Sequence, residues 1–132
     1  MIFIDTSAIY ALADRADPNH AEAARCFAGL LESRTRLLTH NYLLVESMAL
    51  LQRRLGLHAA LALATDSSAF EVEWITPRTH AAAVSALDEV GSRALSLVDH
   101  VSFLVMEARG VHEAFAFDQD FEARGFELVP NR

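Results

Sequence analysis

Four acidic residues each follow an apolar run, and this pattern constrains the fold more than any other feature of the chain. An ionised carboxylate in apolar surroundings costs roughly several kcal/mol unless a cation or hydrogen-bond donors accompany it. No Lys or Arg lies within two positions of any of these acids, which are Asp5, Glu46, Asp99 and Asp118. Mg²⁺ and Mn²⁺ prefer oxygen ligands, and a shared ion would offset the charge of all four. The pattern therefore predicts a metal-dependent enzyme whose fold gathers distant carboxylates.

Short apolar runs alternate with segments of helical periodicity along the chain. The runs predict strands at residues 1–4, 36–39, 70–75, 113–117 and 127–129. Periodicity and capping signals predict helices near residues 9–13, 20–33, 41–55, 57–67, 77–91 and 99–110. This alternation indicates an α/β sandwich with a mainly parallel central sheet. Ligands of such sheets bind at the carboxyl ends of the strands, so Asp5 and Asp118 should lie at that edge.

Local signals also predict where individual elements begin and end. Asn41 is a good capping residue for the helix at 41–55, and Gly56 suits its C-terminal end. Residues 70–75 alternate apolar side chains with Glu, which predicts a strand open to solvent on one face. With 132 residues, 52% of them hydrophobic, and no linker-like stretch, the sequence predicts a single domain over residues 1–132.

The charge and the cysteine content exclude several classes of protein. A net charge of −7 argues against nucleic-acid binding by bulk electrostatics, so any such contact must be local. The lone Cys26 excludes an intramolecular disulfide and a zinc site built on cysteines, and it suits a reducing cytosol. No signal peptide or long apolar span is evident, so we expect a cytoplasmic protein that does not enter a membrane.

The first two acids have structural alternatives of different strength. Asp5-Thr6-Ser7 after a strand is a good helix N-cap signature, which needs no chemistry. Glu46 is harder to explain structurally, because its neighbours three and four positions away on a helix are mainly apolar. A glutamate on a solvated helix face usually has polar neighbours there. This placement favours a functional role for Glu46.

The remaining acids also have structural alternatives. Ser96 and Asp99 resemble a capping box, although Asp is one methylene shorter than the usual Glu and should reach back less well. Asp118 and Asp120 could both be turn residues after a strand, and only one of them need be functional. The six histidines show no paired ligand spacing and are expected to be surface or packing residues, with His100 beside Asp99 as the exception worth testing.

Four short motifs spread along nearly the whole chain form a more specific set. They are Ile4-Asp5-Thr6-Ser7, Glu46, Asp99 at the opening of a predicted helix, and Phe117-Asp118-Gln119-Asp120-Phe121 with Gly125-Phe126 behind it. This set resembles the PIN-domain family, and within it the VapC-like toxin ribonucleases of type II toxin–antitoxin systems. The resemblance implies a Rossmann-like, three-layer PIN fold and a Mg²⁺- or Mn²⁺-dependent endoribonuclease acting on RNA.

The resemblance also implies roles for individual residues and partners. Asp5, Glu46, Asp99 and Asp118 would be the catalytic and metal-binding quartet, with Glu46 reaching the metal directly or through water. Around them, Thr6, Ser7 and Asp120 would orient the ligands. The chain would form a homodimer and bind a small antitoxin whose tail plugs the acidic pocket. Many members have Thr or Ser two positions before the fourth acid, whereas this chain has Ala116, so a hydroxyl that could orient bound water is missing.

Two other functions remain open on the sequence. An aspartate-dependent phosphatase on a similar α/β fold also uses an Asp after its first strand, but it requires a second Asp two positions later, where this chain has Ser7. A non-catalytic binding module would use the same acids only as helix caps. Metal-dependent thermal stabilisation separates the binding module from the metal-dependent nuclease.

Overall fold

A computed structural model describes residues 1–131 and contains one parallel β-sheet. Its five strands lie in the order β3-β2-β1-β4-β5, and every neighbouring pair is parallel. The strands are β1 (Ile2–Ile4), β2 (Leu37–His40), β3 (Glu71–Glu73), β4 (Glu113–Phe115) and β5 (Glu127–Val129). The predicted α/β class and parallel sheet are therefore confirmed.

Helices connect the strands and flank the sheet. They are α1 (Thr6–Ala13), α2 (His20–Glu32), α3 (Asn41–Leu55), α4 (Leu57–Asp66), α5 (Pro77–Val90), α6 (Leu97–Arg109) and α7 (Asp120–Ala123), with a 3₁₀ turn at Ser67–Ala69. Helix α3 packs against α1, α4 and α6, and α5 packs against α6. Because α3 and α6 carry Glu46 and Asp99, their packing brings two of the predicted acids towards each other. Within residues 1–131, no helix has the length and apolar character needed to cross a membrane.

The core is built on the central strands, whose side chains are buried on both sheet faces, as expected for a parallel sheet covered by helices. Their buried residues are Ile2, Phe3, Ile4, Leu37, Leu38, Ala114 and Phe115. Beside them, Phe103 of α6 packs edge-on against Phe121 and stacks with Phe126. This aromatic cluster fixes α6 against the chain segment that follows β4.

Two strands are shorter than predicted, and side-chain hydrogen bonds explain both differences. The strand expected at 70–75 is Glu71–Glu73, because the Ile75 amide donates to Asn41 Oδ1 at 2.7 Å instead of to a neighbouring strand. The strand expected at 113–117 ends at Phe115, and the Phe117 amide donates to Ser7 Oγ at 3.0 Å. In both places, a side chain from another element takes over a backbone group where the strand ends.

The N-cap of α3 is also different from the prediction. His40, not Asn41, is the capping residue: its backbone is extended, and its Nδ1 accepts a hydrogen bond from the Leu43 amide at 3.1 Å. Asn41 is the first helical residue, and its side chain instead binds the Ile75 amide. The predicted C-terminal cap at Gly56 is confirmed. Local sequence allows either His40 or Asn41 to cap α3, and the contact of Asn41 with Ile75 leaves this role to His40.

Candidate functional site

Two of the predicted acids follow adjacent strands. Asp5 comes directly after β1, and its amide donates to the Phe115 carbonyl oxygen at 3.0 Å, which joins the ends of β1 and β4. Asp118 follows the end of β4 by three residues. The carboxyl ends of neighbouring parallel strands form one edge of the sheet, where ligands of open α/β sheets bind. The predicted placement of Asp5 and Asp118 at this edge is confirmed.

Asp5 is both a helix cap and a buried acid. Its Oδ2 accepts hydrogen bonds from the Ser7 amide at 3.1 Å and from Ser7 Oγ at 2.7 Å at the start of α1. The residue is only 7% exposed. Burial raises the pKa of Asp5 to about 6; the Ser7 hydrogen bonds oppose this shift, and the charges of Asp99 and Asp118 add to it. The capping interpretation is correct, but it leaves the repulsion from two other acids unexplained.

Ser7 connects Asp5 to the segment that carries Asp118. Its hydroxyl donates to Asp5 and accepts a hydrogen bond from the Phe117 amide at 3.0 Å. Ala116, at the position where the resembling family often has a hydroxyl, is buried in the core and offers no polar side-chain atom. In this chain the hydroxyl that lies between the first acid and the backbone next to Asp118 belongs to Ser7.

Glu46 lies on α3 and contacts the start of α1. Thr6 Oγ1 donates to Glu46 Oε1 at 3.2 Å and is 2.8 Å from Ser47 Oγ. Desolvation raises the pKa of Glu46, the Thr6 hydrogen bond opposes this, and the charge of Asp99 adds to it. The apolar helix face predicted around Glu46 does not bury it: Glu46 is exposed, and the adjacent Val45 is 68% exposed. Glu46 therefore bounds an open site.

Asp99 forms a complete capping box with Ser96. Its Oδ2 accepts from the Ser96 amide at 2.8 Å, while the Asp99 amide donates to Ser96 Oγ at 3.2 Å. The reduced reach expected of the Asp side chain does not prevent this arrangement, because the cap backbone lies close enough for the shorter side chain. The same carboxylate is near enough to Asp5, Glu46 and Asp120 for its charge to raise their pKa values.

Asp118 and Asp120 lie together at the start of α7. Asp118 Oδ1 accepts a hydrogen bond from the Asp120 amide at 2.9 Å, so Asp118 also stabilises the short helix. Desolvation, the charge of Asp118, a hydrogen bond with Asp118 and the charge of Asp99 all raise the pKa of Asp120. The structure thus places Asp120 within the electrostatic range of two members of the predicted quartet.

These five acids come from four separate parts of the sequence, since Asp118 and Asp120 share one segment, and none of them forms a salt bridge with an arginine or histidine in residues 1–131. Their mutual repulsion and their oxygen donors fit a hard divalent cation. As they stand, no three His, Cys, Asp or Glu side chains of the described chain are arranged to hold an ion. The arrangement fits an ion that keeps several waters and binds few carboxylates directly, as Mg²⁺ usually does.

Two buried histidines lie close behind the acids. His40 is fully buried, with Nε2 at 2.8 Å from Ser102 Oγ, and Ser102 Oγ donates to the Val98 carbonyl oxygen at 3.0 Å. This chain of hydrogen bonds joins the start of α3 to the first turns of α6, and no spacing of residues in the sequence predicts it. His100 is also buried, and its Nε2 has no hydrogen-bond partner within residues 1–131. It packs edge-on against Phe103.

A cavity of about 340 Å³ opens beside the acids. It is lined by Thr6, Ser7, Tyr10, Asp17, Asn19, Leu50, Arg54, Phe117 and Asp118. A larger cavity, of about 570 Å³, lies between Glu113, Glu122 and Asn131 and includes none of the five acids. Size alone therefore does not locate the acidic site, whereas the convergence of strand ends does.

A parallel sheet with acids gathered at its carboxyl edge defines an α/β protein whose polar site is formed by strand ends and helix starts. Residues 2–127 match the family model described as PIN domain, and the chain belongs to this family. The VapC20 proteins of two Mycobacterium tuberculosis strains, described as 23S rRNA-specific endonucleases, are 39% identical over 128 residues, covering 96% of this chain and 95% of theirs. The crystal structure of M. tuberculosis VapC20, described as a sarcin–ricin loop cleaving toxin, matches with a TM-score of 0.85, 38% identity and 96% coverage of both chains.

Proposed function

We propose that this protein is the toxin endoribonuclease of a toxin–antitoxin pair. The observation that carries the proposal is the meeting of five acids at the carboxyl edge of a PIN-family sheet, none of them with a cationic partner among residues 1–131. The similarity to a 23S rRNA-specific endonuclease over nearly the whole chain supports RNA as the substrate. A structured loop of ribosomal RNA is the first substrate class to test, since the matching solved structure is described as a sarcin–ricin loop cleaving toxin.

We assign the metal-binding role to Asp5, Asp99 and Asp118, with Glu46 binding directly or through water. When bound, Mg²⁺ or Mn²⁺ would offset their repulsion and polarise the phosphate that is cleaved. Asp5 has a pKa of about 6 and is therefore ionised at neutral pH. The Ser7 hydroxyl donates a hydrogen bond to the Asp5 carboxylate and fixes its orientation. Metal-binding carboxylates are commonly oriented by such hydrogen bonds from neighbouring side chains.

The remaining proposals concern the chain as a whole. We propose that residues 1–132 form one PIN-like domain acting in the cytoplasm as a homodimer. A basic antitoxin segment would pair with the same acids, because an Arg guanidinium binds carboxylates through two parallel hydrogen bonds. Inhibition would then consist of replacing the metal by an arginine.

The non-catalytic alternative has real support in the caps formed by Asp5 and Asp99. Caps on separate helices have no reason to lie close enough to raise the pKa of other acids, however, as these two do. The phosphatase alternative lacks its second acid, and Ser7 instead binds Asp5 at the required position. Family membership likewise favours the nuclease over both.

The decisive experiment measures cleavage of a synthetic RNA hairpin carrying the sarcin–ricin loop, with Mg²⁺, with Mn²⁺ and with EDTA. We expect cleavage only with a metal, because the site offers carboxylates but no paired nucleophile and base among residues 1–131. Asp5→Asn, prepared identically, controls for contaminating nucleases, and Glu71→Gln controls for loss of an acid outside the site. Undiminished cleavage by wild type in EDTA would reject the mechanism.

A further inference from the structure

Among residues 1–131, one cationic side chain lies in the wall of the cavity beside Asp118. That residue is Arg54, in the last turn of α3, and the same wall includes Ser7 and Asp118 of the acidic site. Arg54 is exposed and forms no salt bridge within the described chain. A cation thus lies in the same cavity as an acid of the proposed site, and its charge adds to the Tyr10 hydrogen bond in lowering the pKa of the nearby Asp14.

Tyr10 holds the Arg54 guanidinium in place. The guanidinium carbon lies 5.4 Å from the centre of the Tyr10 ring, within the range of a cation–π contact. Tyr10 is itself fixed, because its hydroxyl donates to Asp14 Oδ2 at 2.7 Å. A stacked guanidinium keeps its edge N–H groups available, and these groups bind phosphate oxygens in pairs.

The geometry of α3 places this cation in line with the acids. Glu46, Leu50 and Arg54 are spaced four residues apart, so they lie along one side of the helix, and Leu50 lines the same cavity. From Glu46 to Arg54 the helix rises about 12 Å. A nucleic-acid strand lying along this side of α3 would reach from the acids to the guanidinium.

The negative charge of the protein makes a nearby cation useful for binding RNA. The chain has a net charge of −7, and the acids repel the phosphates of an approaching RNA. Binding therefore requires local positive charge close to the acids. We propose that Arg54, supported by Tyr10, binds a backbone phosphate of the RNA further along the strand from the phosphate that is cleaved. This inference rests on the proposed ribonuclease function and adds a substrate-binding subsite to it.

The test compares Arg54→Gln with Arg53→Gln, since Arg53 is the adjacent exposed arginine and does not line the cavity. Cleavage kinetics and anisotropy binding of a fluorescent RNA hairpin are measured over a series of salt concentrations. For Arg54→Gln we expect a KM and Kd about tenfold higher and an unchanged kcat, because a phosphate contact remote from the cleaved bond contributes binding energy equally to ground state and transition state. The slope of log Kd against log salt should fall by about 0.7, the value for one single-strand phosphate.

The outcomes separate this inference from the proposed function. If wild type cleaves RNA and Arg54→Gln behaves like Arg53→Gln, the subsite is wrong while the ribonuclease remains. A lower melting temperature with an unchanged salt slope would show that Arg54 only packs on Tyr10, and would also overturn the subsite. If wild type binds the hairpin through Arg54 but does not cleave it, the subsite stands and the catalytic proposal fails.

Discussion

The two acidic regions of this molecule differ in what accompanies the acids. On edge strand β3, Arg109 binds both Glu71 and Glu73, and Arg36 also binds Glu71. Desolvation works against ionisation there, but the hydrogen bonds from Arg109 and Arg36 hold the pKa of Glu71 below its usual value. These acids are neutralised within the fold and cover an edge that could otherwise pair with another chain.

At the carboxyl edge of the sheet, the surroundings raise the pKa values of the acids instead of lowering them. Burial raises the pKa of Asp5, and desolvation together with neighbouring acids raises the pKa values of Glu46 and Asp120. No arginine is paired with any of them within residues 1–131. Ionisation of these acids therefore costs folding free energy that a bound cation can recover. An acidic cluster whose members form salt bridges with arginines is structural, whereas one whose members lack such partners is a candidate functional site.

The largest expected effect comes from removing one charge of the unpaired group. Asp118→Asn and Asp5→Asn should each lower the rate of RNA cleavage by roughly 10²-fold or more, the scale of losing a catalytic electrostatic partner. Asp120→Asn should cost much less, because Asp118 follows the end of β4 more closely along the chain and lines the cavity, which Asp120 does not. Single-turnover cleavage of the hairpin substrate measures all three.

Melting temperatures of the same variants provide the control. The Asn variants should stay folded and should equal or exceed the stability of wild type without metal, because like charges are removed from one place. A fully active Asp118→Asn beside an inactive Asp120→Asn would reverse the assignment of these two acids. Three active variants would reject the quartet.

The pH dependence of stability should show the cost of the unpaired group. Asp5 has a folded-state pKa of about 6, above its unfolded value, so the folded state binds the proton more tightly. The stability that this tighter proton binding adds to the folded protein is fully present below about pH 4 and is lost as the pH rises through 6. The unfolding free energy of Asp5→Asn minus that of wild type, in EDTA, should thus grow by about 2 to 3 kcal/mol between pH 4 and 7.

Urea unfolding at several pH values measures this difference. His40, whose pKa burial lowers to about 3, works in the opposite direction: its contribution is lost as the pH falls below about 6.5. Because His40 is present in both proteins, its effect cancels in the difference. A difference that does not vary with pH would show that Asp5 is not a perturbed acid.

The smallest effect is expected in the paired group. Arg109→Gln removes the guanidinium that binds Glu71 and Glu73, and the pKa of Glu71 should rise towards its usual value. These side chains are partly exposed, so we expect the melting temperature to fall by no more than a few degrees, roughly. The cleavage rate should not change. A loss of cleavage comparable to that of Asp5→Asn would show that the two acidic regions are not independent.

The sequence allowed the sheet and the edge positions of Asp5 and Asp118 to be predicted because their signals are local. A strand of apolar residues followed by Asp-Thr-Ser specifies both the strand and the cap that ends it. The catalytic roles of the acids stay predictions, since geometry establishes their proximity and charge but not their chemistry.

Other features depend on residues that are far apart in the chain, which sequence patterns do not reveal. The two hydrogen bonds of Ser7 join Asp5 to the Phe117 amide, which lies 110 positions beyond Ser7 in the chain. To predict that His40 caps α3, one would have to know that the Asn41 side chain accepts a hydrogen bond from the distant Ile75 amide. Whether the short Asp99 side chain could accept a hydrogen bond from the Ser96 amide depended on the local backbone geometry, which side-chain length alone does not predict.

The hydrogen bonds of His40 also have a consequence for how the protein folds. A neutral imidazole has one N–H, and since Nδ1 accepts from the Leu43 amide, that proton lies on Nε2 and is donated to Ser102, 62 positions along the chain. A buried Nε2–H without this acceptor would be costly, so the ring becomes fully satisfied only when α6 has docked. Closing such a distant contact is entropically expensive and occurs late relative to local helix formation. The hydrogen bonds of His40 therefore couple the packing of the two helices that carry Glu46 and Asp99, and we expect the acidic site to assemble only once α6 has docked against α3.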